Sequence, residues 1–182
     1  NRNILEDCML PAGRLREWAY NRKRADVIIV SKCPDNITEQ EMMLLTKRLS
    51  NNGQKIFFTK IKYGEVYLME SPNTQLNLEH EKESSILLLS GIASPKQMHS
   101  YLKKFTNNIS LLEFADHHSF SDKDIHNIEQ AFISLKGEKK YIITTEKDAA
   151  RLKSINLKEE IKSSLYILPI EIEFVKDGTQ FD

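Results

Sequence analysis

Two rhythms alternate along the chain. Short apolar runs bounded by polar residues predict strands: Val27-Ile28-Ile29-Val30 has the pattern of one buried on both faces, Ile86-Leu87-Leu88-Leu89 reads as buried, and Ile56-Phe57-Phe58 and Tyr141-Ile142-Ile143 read as two more. Leu111, Leu112 and Phe114 predict one more short buried strand. Between these runs apolar residues recur at helical steps, as Met42, Leu45 and Leu49, then Met98, Tyr101, Leu102 and Phe105, then Ile125, Ile128, Phe132 and Leu135. Each of these helices has a start signal: Thr38 with Glu41, Ser94 with Pro95 and Gln97, and Ser121 with Asp124. The first stops near Asn51-Asn52-Gly53 and the last near Gly137. Ahead of the first strand, Leu15, Trp18 and Ala19 predict a helix entered near Arg14.

Two stretches depart from that alternation. Ile61 to Met69 reads as extended around Gly64, and residues 70–84 are polar with Pro72, which predicts a mobile loop or excursion. Leu165 to Phe174 alternates apolar and polar around Pro169, which suits an edge strand because proline has no N–H to donate. Strands alternating with capped helices require parallel crossovers. The expected fold class is therefore α/β: three α/β/α layers on a mostly parallel, Rossmann-like sheet, with an extended excursion around residues 60–84. Residues 1–24 form a lead-in segment and helix, and residues 25–182 the α/β domain.

Composition narrows the function classes. The 182 residues are 40% hydrophobic, enough for a core, and 26 Lys+Arg balance 26 Asp+Glu, so no bulk field favours nucleic acid. Cys8 and Cys33 have neither zinc-ligand spacing nor the numbers for a disulfide framework, which predicts reduced thiols. No apolar run approaches the roughly 18 residues that span a bilayer. No signal peptide opens the chain, and its start at Asn1-Arg2-Asn3 without Met raises the expectation of a processed or excised chain. Neither a G-x-x-x-x-G-K-[ST] loop nor G-x-G-x-x-G occurs.

Candidate chemistry gathers at strand ends, where open α/β sheets place their ligands. Asp116-His117-His118 comes after the Leu111 strand and can point at a ligand; equally, two histidines can lie in a polar loop with Asp116 holding one of them. Gly91 and Thr145-Glu146-Lys147-Asp148 fall on the same rim. Glu146 and Asp148 suit a ligand site or simple charge compensation at a helix start. The cluster Arg14, Arg16, Arg22, Lys23 and Arg24 suits a solvated helix face or a phosphate clamp.

Three stretches in order, Leu10-Pro-Ala-Gly-Arg-Leu-Arg-Glu17, Phe114-Ala-Asp-His-His-Ser-Phe120 and Thr145-Glu-Lys-Asp148, resemble the tetraacyldisaccharide 4′-kinases of lipid A biosynthesis. Ala25-Asp26-Val27-Ile28-Ile29 and Tyr166-Ile-Leu-Pro-Ile170 add to the likeness. The resemblance spans nearly all of this chain but only about the C-terminal half of such an enzyme. It implies ATP-dependent phosphorylation of the 4′-hydroxyl of a tetraacyldisaccharide 1-phosphate, in the cytoplasm and peripheral to an inner membrane. ATP and Mg²⁺ would be held mainly by the other, P-loop half, which would also meet the membrane; residues 1–24 would carry over from it, and this portion alone would be inactive. His117, with Asp116 beside it, would orient and tune a general base from that half. Arg16 and Glu17 would lie near nucleotide and substrate, as would Glu146, Lys147 and Asp148.

Two rival readings stand beside it. Manganese phosphoesterases also carry Asp-His-His at a strand end, but octahedral Mn²⁺ needs several carboxylates from separate strands. Here no upstream strand ends in an Asp pair, and Asp122 and Asp124 read as helix-start residues, so no metal ligands are expected. The other rival is a non-enzymatic α/β binding module.

Overall fold

The apolar runs become strands, but they sort into two sheets. The computed structural model describes residues 4–51, 53–91, 95–116, 118–176 and 178. Its strands are β1 Val27–Cys33, β2 Lys55–Tyr63, β3 Val66–Leu68, β4 Ser71–Leu76, β5 Ser85–Ser90, β6 Asn108–Glu113, β7 Lys140–Thr144, β8 Leu165–Ile167 and β9 Ile170–Phe174. Its helices are α1 Glu39–Leu49, α2 Lys96–Leu102, α3 Asp122–Ser134, α4 Glu146–Leu152 and α5 Glu159–Lys162. The chain folds as two units: residues 1–62 with 171–182, and residues 63–170. Within the first unit the lead-in segment is tied to the end of α1 and to the approach to β2. Arg22 Nε donates to the Leu49 carbonyl at 3.0 Å, and Gln54 donates to the Arg22 carbonyl at 2.8 Å.

The first unit holds a three-stranded sheet in the order β1-β2-β9. β1 and β2 are parallel, with Ile29 opposite Phe57. Ion pairs Lys60–Glu173 (3.2 Å) and Lys62–Glu171 (3.3 Å) run in opposite sequence directions, so β9 lies antiparallel to β2. α1 starts on the expected capping box, with Thr38 and Glu41 each accepting from the other's backbone N–H. Its Met42 packs on Cys33 and Phe58. The expectation that Val27–Val30 is buried on both faces is not met: Val27 is 38% and Ile29 48% exposed. β1 ends this sheet's order, and only one of its faces meets α1. The helix expected from Arg14 is also absent. Leu15 instead bridges to Met9, and a 3-10 turn covers Ala19–Arg24 with Trp18 exposed.

The second unit has a six-stranded sheet, order β4-β3-β8-β7-β5-β6. β6, β5, β7 and β8 are mutually parallel; β3 and β4 complete it antiparallel. Every residue of β5 is buried. Alternate β5 side chains feed two cores: Leu87 and Leu89 with Ile128, Phe132, Leu152 and Ile161, and Ile86 and Leu88 with Met98 and Leu102. The expected three layers and mostly parallel sheet are realised in this unit.

Several expectations shift with the topology. The excursion of residues 60–84 is the end of β2 and then the β3–β4 hairpin, with Pro72 and its polar neighbours in the outermost strand, where one row of backbone groups needs no partner. Leu165–Phe174 is two strands, not one. Pro169 offers only its carbonyl, which accepts from Gly64 N–H at 3.1 Å, and the chain leaves one sheet for the other there. β8 is interior. β6, expected to be buried, is an edge strand with Leu111 exposed. Ser94, the expected cap of α2, lies outside the described residues. Among those residues no helix is long and apolar enough to cross a membrane.

Candidate functional site at the strand-end rim

The carboxyl ends of β5, β6 and β7 are bound together by hydrogen bonds. Phe114 N–H donates to the Ser90 carbonyl at 2.9 Å, and Thr144 Oγ1 donates to the Leu89 carbonyl at 2.9 Å. Thr145 caps α4: its Oγ1 accepts from Asp148 N–H at 3.2 Å and donates to Asp148 Oδ2 at 3.0 Å. The same Oδ2 accepts from Gly91 N–H at 2.9 Å, while Oδ1 stands 3.5 Å from an Arg151 guanidinium nitrogen. Asp148 is wholly buried. Glycine at 91 is explained by this approach, since a Cβ there would stand 2.8 Å from Asp148 Oδ1.

Of the Thr145–Asp148 motif, Glu146 and Lys147 face outward. The Lys147 ammonium pairs with the Asp116 carboxylate, so the structure brings together two of the residues singled out in the sequence. Glu146 lies close enough to Tyr67 to add to the burial that raises that phenol's pKa. His117 lies outside the described residues.

His118 belongs to the loop's own packing. Its ring stacks on Phe114 (centroids 5.0 Å apart, 29° between planes) and meets Phe120 edge-on. Its Nε2 is 3.0 Å from Asp124 Oδ2, which also accepts from Ser121 N–H at 2.8 Å and Ser121 Oγ at 2.6 Å. The Ser121 hydroxyl and amide, then His118, pull the Asp124 pKa from 3.8 to about 2. Ser121-x-x-Asp124 is visible in sequence as a cap; its junction with His118 is not, because nothing in sequence marks which histidine turns back.

Arg16 and Glu17 lie in the first unit on an exposed stretch. The turn before them is tight: Gly13 N–H donates to the Met9 carbonyl at 2.9 Å, and a Cβ on Gly13 would stand 2.2 Å from the Cys8 carbonyl oxygen. Glu17 Oε2 accepts from Arg24 at 2.6 Å and Asn21 at 3.1 Å. Arg22, suited in sequence to a solvated face or a clamp, instead caps the carbonyl end of α1 and bonds the Ala19 carbonyl at 2.8 Å. Among the described residues no group of three or more His, Cys, Asp or Glu side chains is placed to hold a metal.

Sheet and rim define an α/β protein of the kind whose ligands sit beyond the carboxyl ends of parallel strands. More narrowly, the chain belongs to the tetraacyldisaccharide-1-P 4′-kinase family, whose model matches residues 1–182. It is 41% identical over 187 aligned positions to the tetraacyldisaccharide 4′-kinase of Bacteroides thetaiotaomicron, and 39% over 180 to that of Phocaeicola vulgatus. In both cases 97% of this chain is covered and 49% of the relative, so the chain spans about half the length of the curated relatives it matches. In fold it is similar to the "apo" form of LpxK from Aquifex aeolicus crystallised in complex with ATP, with a TM-score of 0.56 at 20% identity over 97% of this chain and 47% of that one.

Proposed function

We propose that this chain is the C-terminal portion of an ATP-dependent kinase that phosphorylates the 4′-hydroxyl of tetraacyldisaccharide 1-phosphate in lipid A biosynthesis. Membership of the family over residues 1–182 carries the reading. The rim agrees with the division of labour this implies. Phosphoryl transfer asks for charge neutralisation and positioning rather than covalent help. The described residues here offer no clustered carboxylates for Mg²⁺: Asp148 is buried in the cap, Asp124 in its own loop, and Asp116 holds Lys147. In this reading ATP and Mg²⁺ are held mainly by a P-loop portion outside this sequence, which also meets the inner-membrane surface.

The part left to this chain is acceptor-side geometry. His117, next to Asp116, orients and tunes the carboxylate base that removes the 4′-hydroxyl proton. Arg16 supplies a planar fork to phosphate, with Glu17 beside it, on the nucleotide and substrate side. Glu146 and Lys147 face the same rim as Asp116, and Asp148 serves from beneath. Transfer of labelled phosphate from ATP to the lipid acceptor tests this. The full-length protein should turn over and the 182-residue chain should not; turnover by the chain alone would overturn the division of labour.

A further inference from the structure

We propose that Lys147 is a positioning residue for phosphoryl transfer: anchored by the buried Asp148, its ammonium holds Asp116 across the end of β5 and so fixes the residue that precedes His117 in the sequence. The inference rests on the function proposed above and replaces a direct ligand role for Lys147.

Strand order supplies the geometry. β6 and β7 flank β5 and do not touch, so their carboxyl ends stand two strand spacings apart, about 10 Å. A long side chain is needed to link them, and the chain end between them must be flat. Both conditions hold. Lys147 reaches from the first turn of α4 to Asp116, three residues beyond β6. Gly91 closes β5 without a side chain, in a space where a Cβ would stand 2.8 Å from Asp148 Oδ1 and 3.5 Å from the Ala115 carbonyl oxygen.

An exposed ion pair ordinarily contributes little, because two flexible side chains must be ordered to make it. Here the backbone at one end is fixed in advance. The backbone of Lys147 lies between the cap residue Thr145 and Asp148, whose carboxylate is fixed by Gly91 N–H and Thr145 Oγ1. The far side of the loop is fixed too, with His118 N–H donating to the Ala115 carbonyl at 3.1 Å and its ring clasped to Asp124 and Phe114. Asp116 and His118, the described residues on either side of position 117 in the sequence, are thus both anchored. Lys147 supplies the anchor on the Asp116 side, and placement of a catalytic group to a fraction of an ångström governs rate more than binding.

The test uses the full-length protein. Lys147→Met should lower kcat by about 10- to 100-fold, the scale of a misplaced reacting group. KM for ATP and lipid should stay within about twofold, since no substrate contact is removed. Lys147→Arg should restore most of the rate. Asp116→Asn should match Lys147→Met, and the double variant should be no worse than either single one. Amide hydrogen exchange over residues 114–121 should quicken in Lys147→Met while α3 stays protected. Unchanged kcat, a raised KM for ATP with kcat intact, additive losses, or exchange identical to wild type would each overturn the inference. The exchange result decides it even if the wild-type protein transfers no phosphate, an outcome that would count against the proposed function alone.

Discussion

The Arg-Glu stretch of the first unit and the Asp116–Asp148 rim of the second both carry charged motif residues and treat them in opposite ways. Around residues 14–24 charges lie on the outside, and Glu17 with Arg24 forms a pair whose side chains are 62% and 71% exposed. On the rim one carboxylate, Asp148, has no exposure and ties the end of β5 at Gly91 to the start of α4 after β7. Surface pairs contribute roughly 0–1 kcal/mol, whereas breaking the partners of a buried carboxylate leaves donors stranded. Motif residues of one chain thus divide into those whose position is built by the local fold and those displayed on it.

The sharpest way to break that contrast is at the histidines. In the full-length protein His117→Ala should lower kcat by ~10²–10⁴, the span for losing a positioned acid–base group. His118→Ala should leave most of the rate and instead cost about 1–2 kcal/mol, since it removes one hydrogen bond and two ring contacts. Steady-state kinetics with circular dichroism as the folding control separates the two, and the reverse order of effects would refute the assignment.

Next in size is Asp148→Ala. It strands Gly91 N–H in the interior and removes half of the α4 cap, so urea denaturation should show a loss of about 2–4 kcal/mol. Arg24→Ala in the exposed pair should fall within about 0.5 kcal/mol of wild type. Equal losses would erase the distinction between the two regions.

Arg22 sharpens the contrast from within the exposed stretch, because it sits there yet works as a cap. Arg22→Lys exchanges a fork that reaches two carbonyls for a single ammonium and should cost about 1 kcal/mol by thermal melting. Arg24→Lys should be close to neutral, and a neutral result at both positions would return Arg22 to the solvated face.

The smallest effect is one of pH. Asp124 has its pKa depressed from 3.8 to about 2 in the folded state. A depressed carboxyl contributes stability that is fully present above its unfolded value and is lost as pH falls through the folded one. Wild type should therefore lose stability between about pH 4 and pH 2 with a slope that Asp124→Asn lacks. Coincident slopes in acid denaturation would show that the Ser121–His118 cluster does not hold this charge.

Local signals are legible in the sequence: both capping boxes, the fully buried β5 run and the helical phase of α1 and α3 appear where the pattern places them. Each depends on neighbours within a few residues. Long-range pairing is not legible. Val27–Val30 and Leu111–Phe114 have core-like letters but lie at ends of their sheet orders, and the polar Ser71–Leu76 pairs as an outer strand. Pro169 is incompatible with a central strand, as its missing N–H implies, but the break it causes sends the chain into another sheet. At the site, the rim and the Lys147–Asp148 motif are visible as letters. The burial of Asp148 is not, since a single carboxylate beside a helix start reads as solvent-facing until the end of β5 is brought against it.

The contact between Gly91 and Asp148 also governs how this family can vary. A side chain at 91 collides with the carboxylate, and a shortened residue at 148 abandons the amide of 91. Either change alone is penalised; together, a small side chain at 91 can fill the space that a shorter residue at 148 vacates. Two positions 57 residues apart thus form one unit of inheritance, expected to be kept or exchanged as a pair.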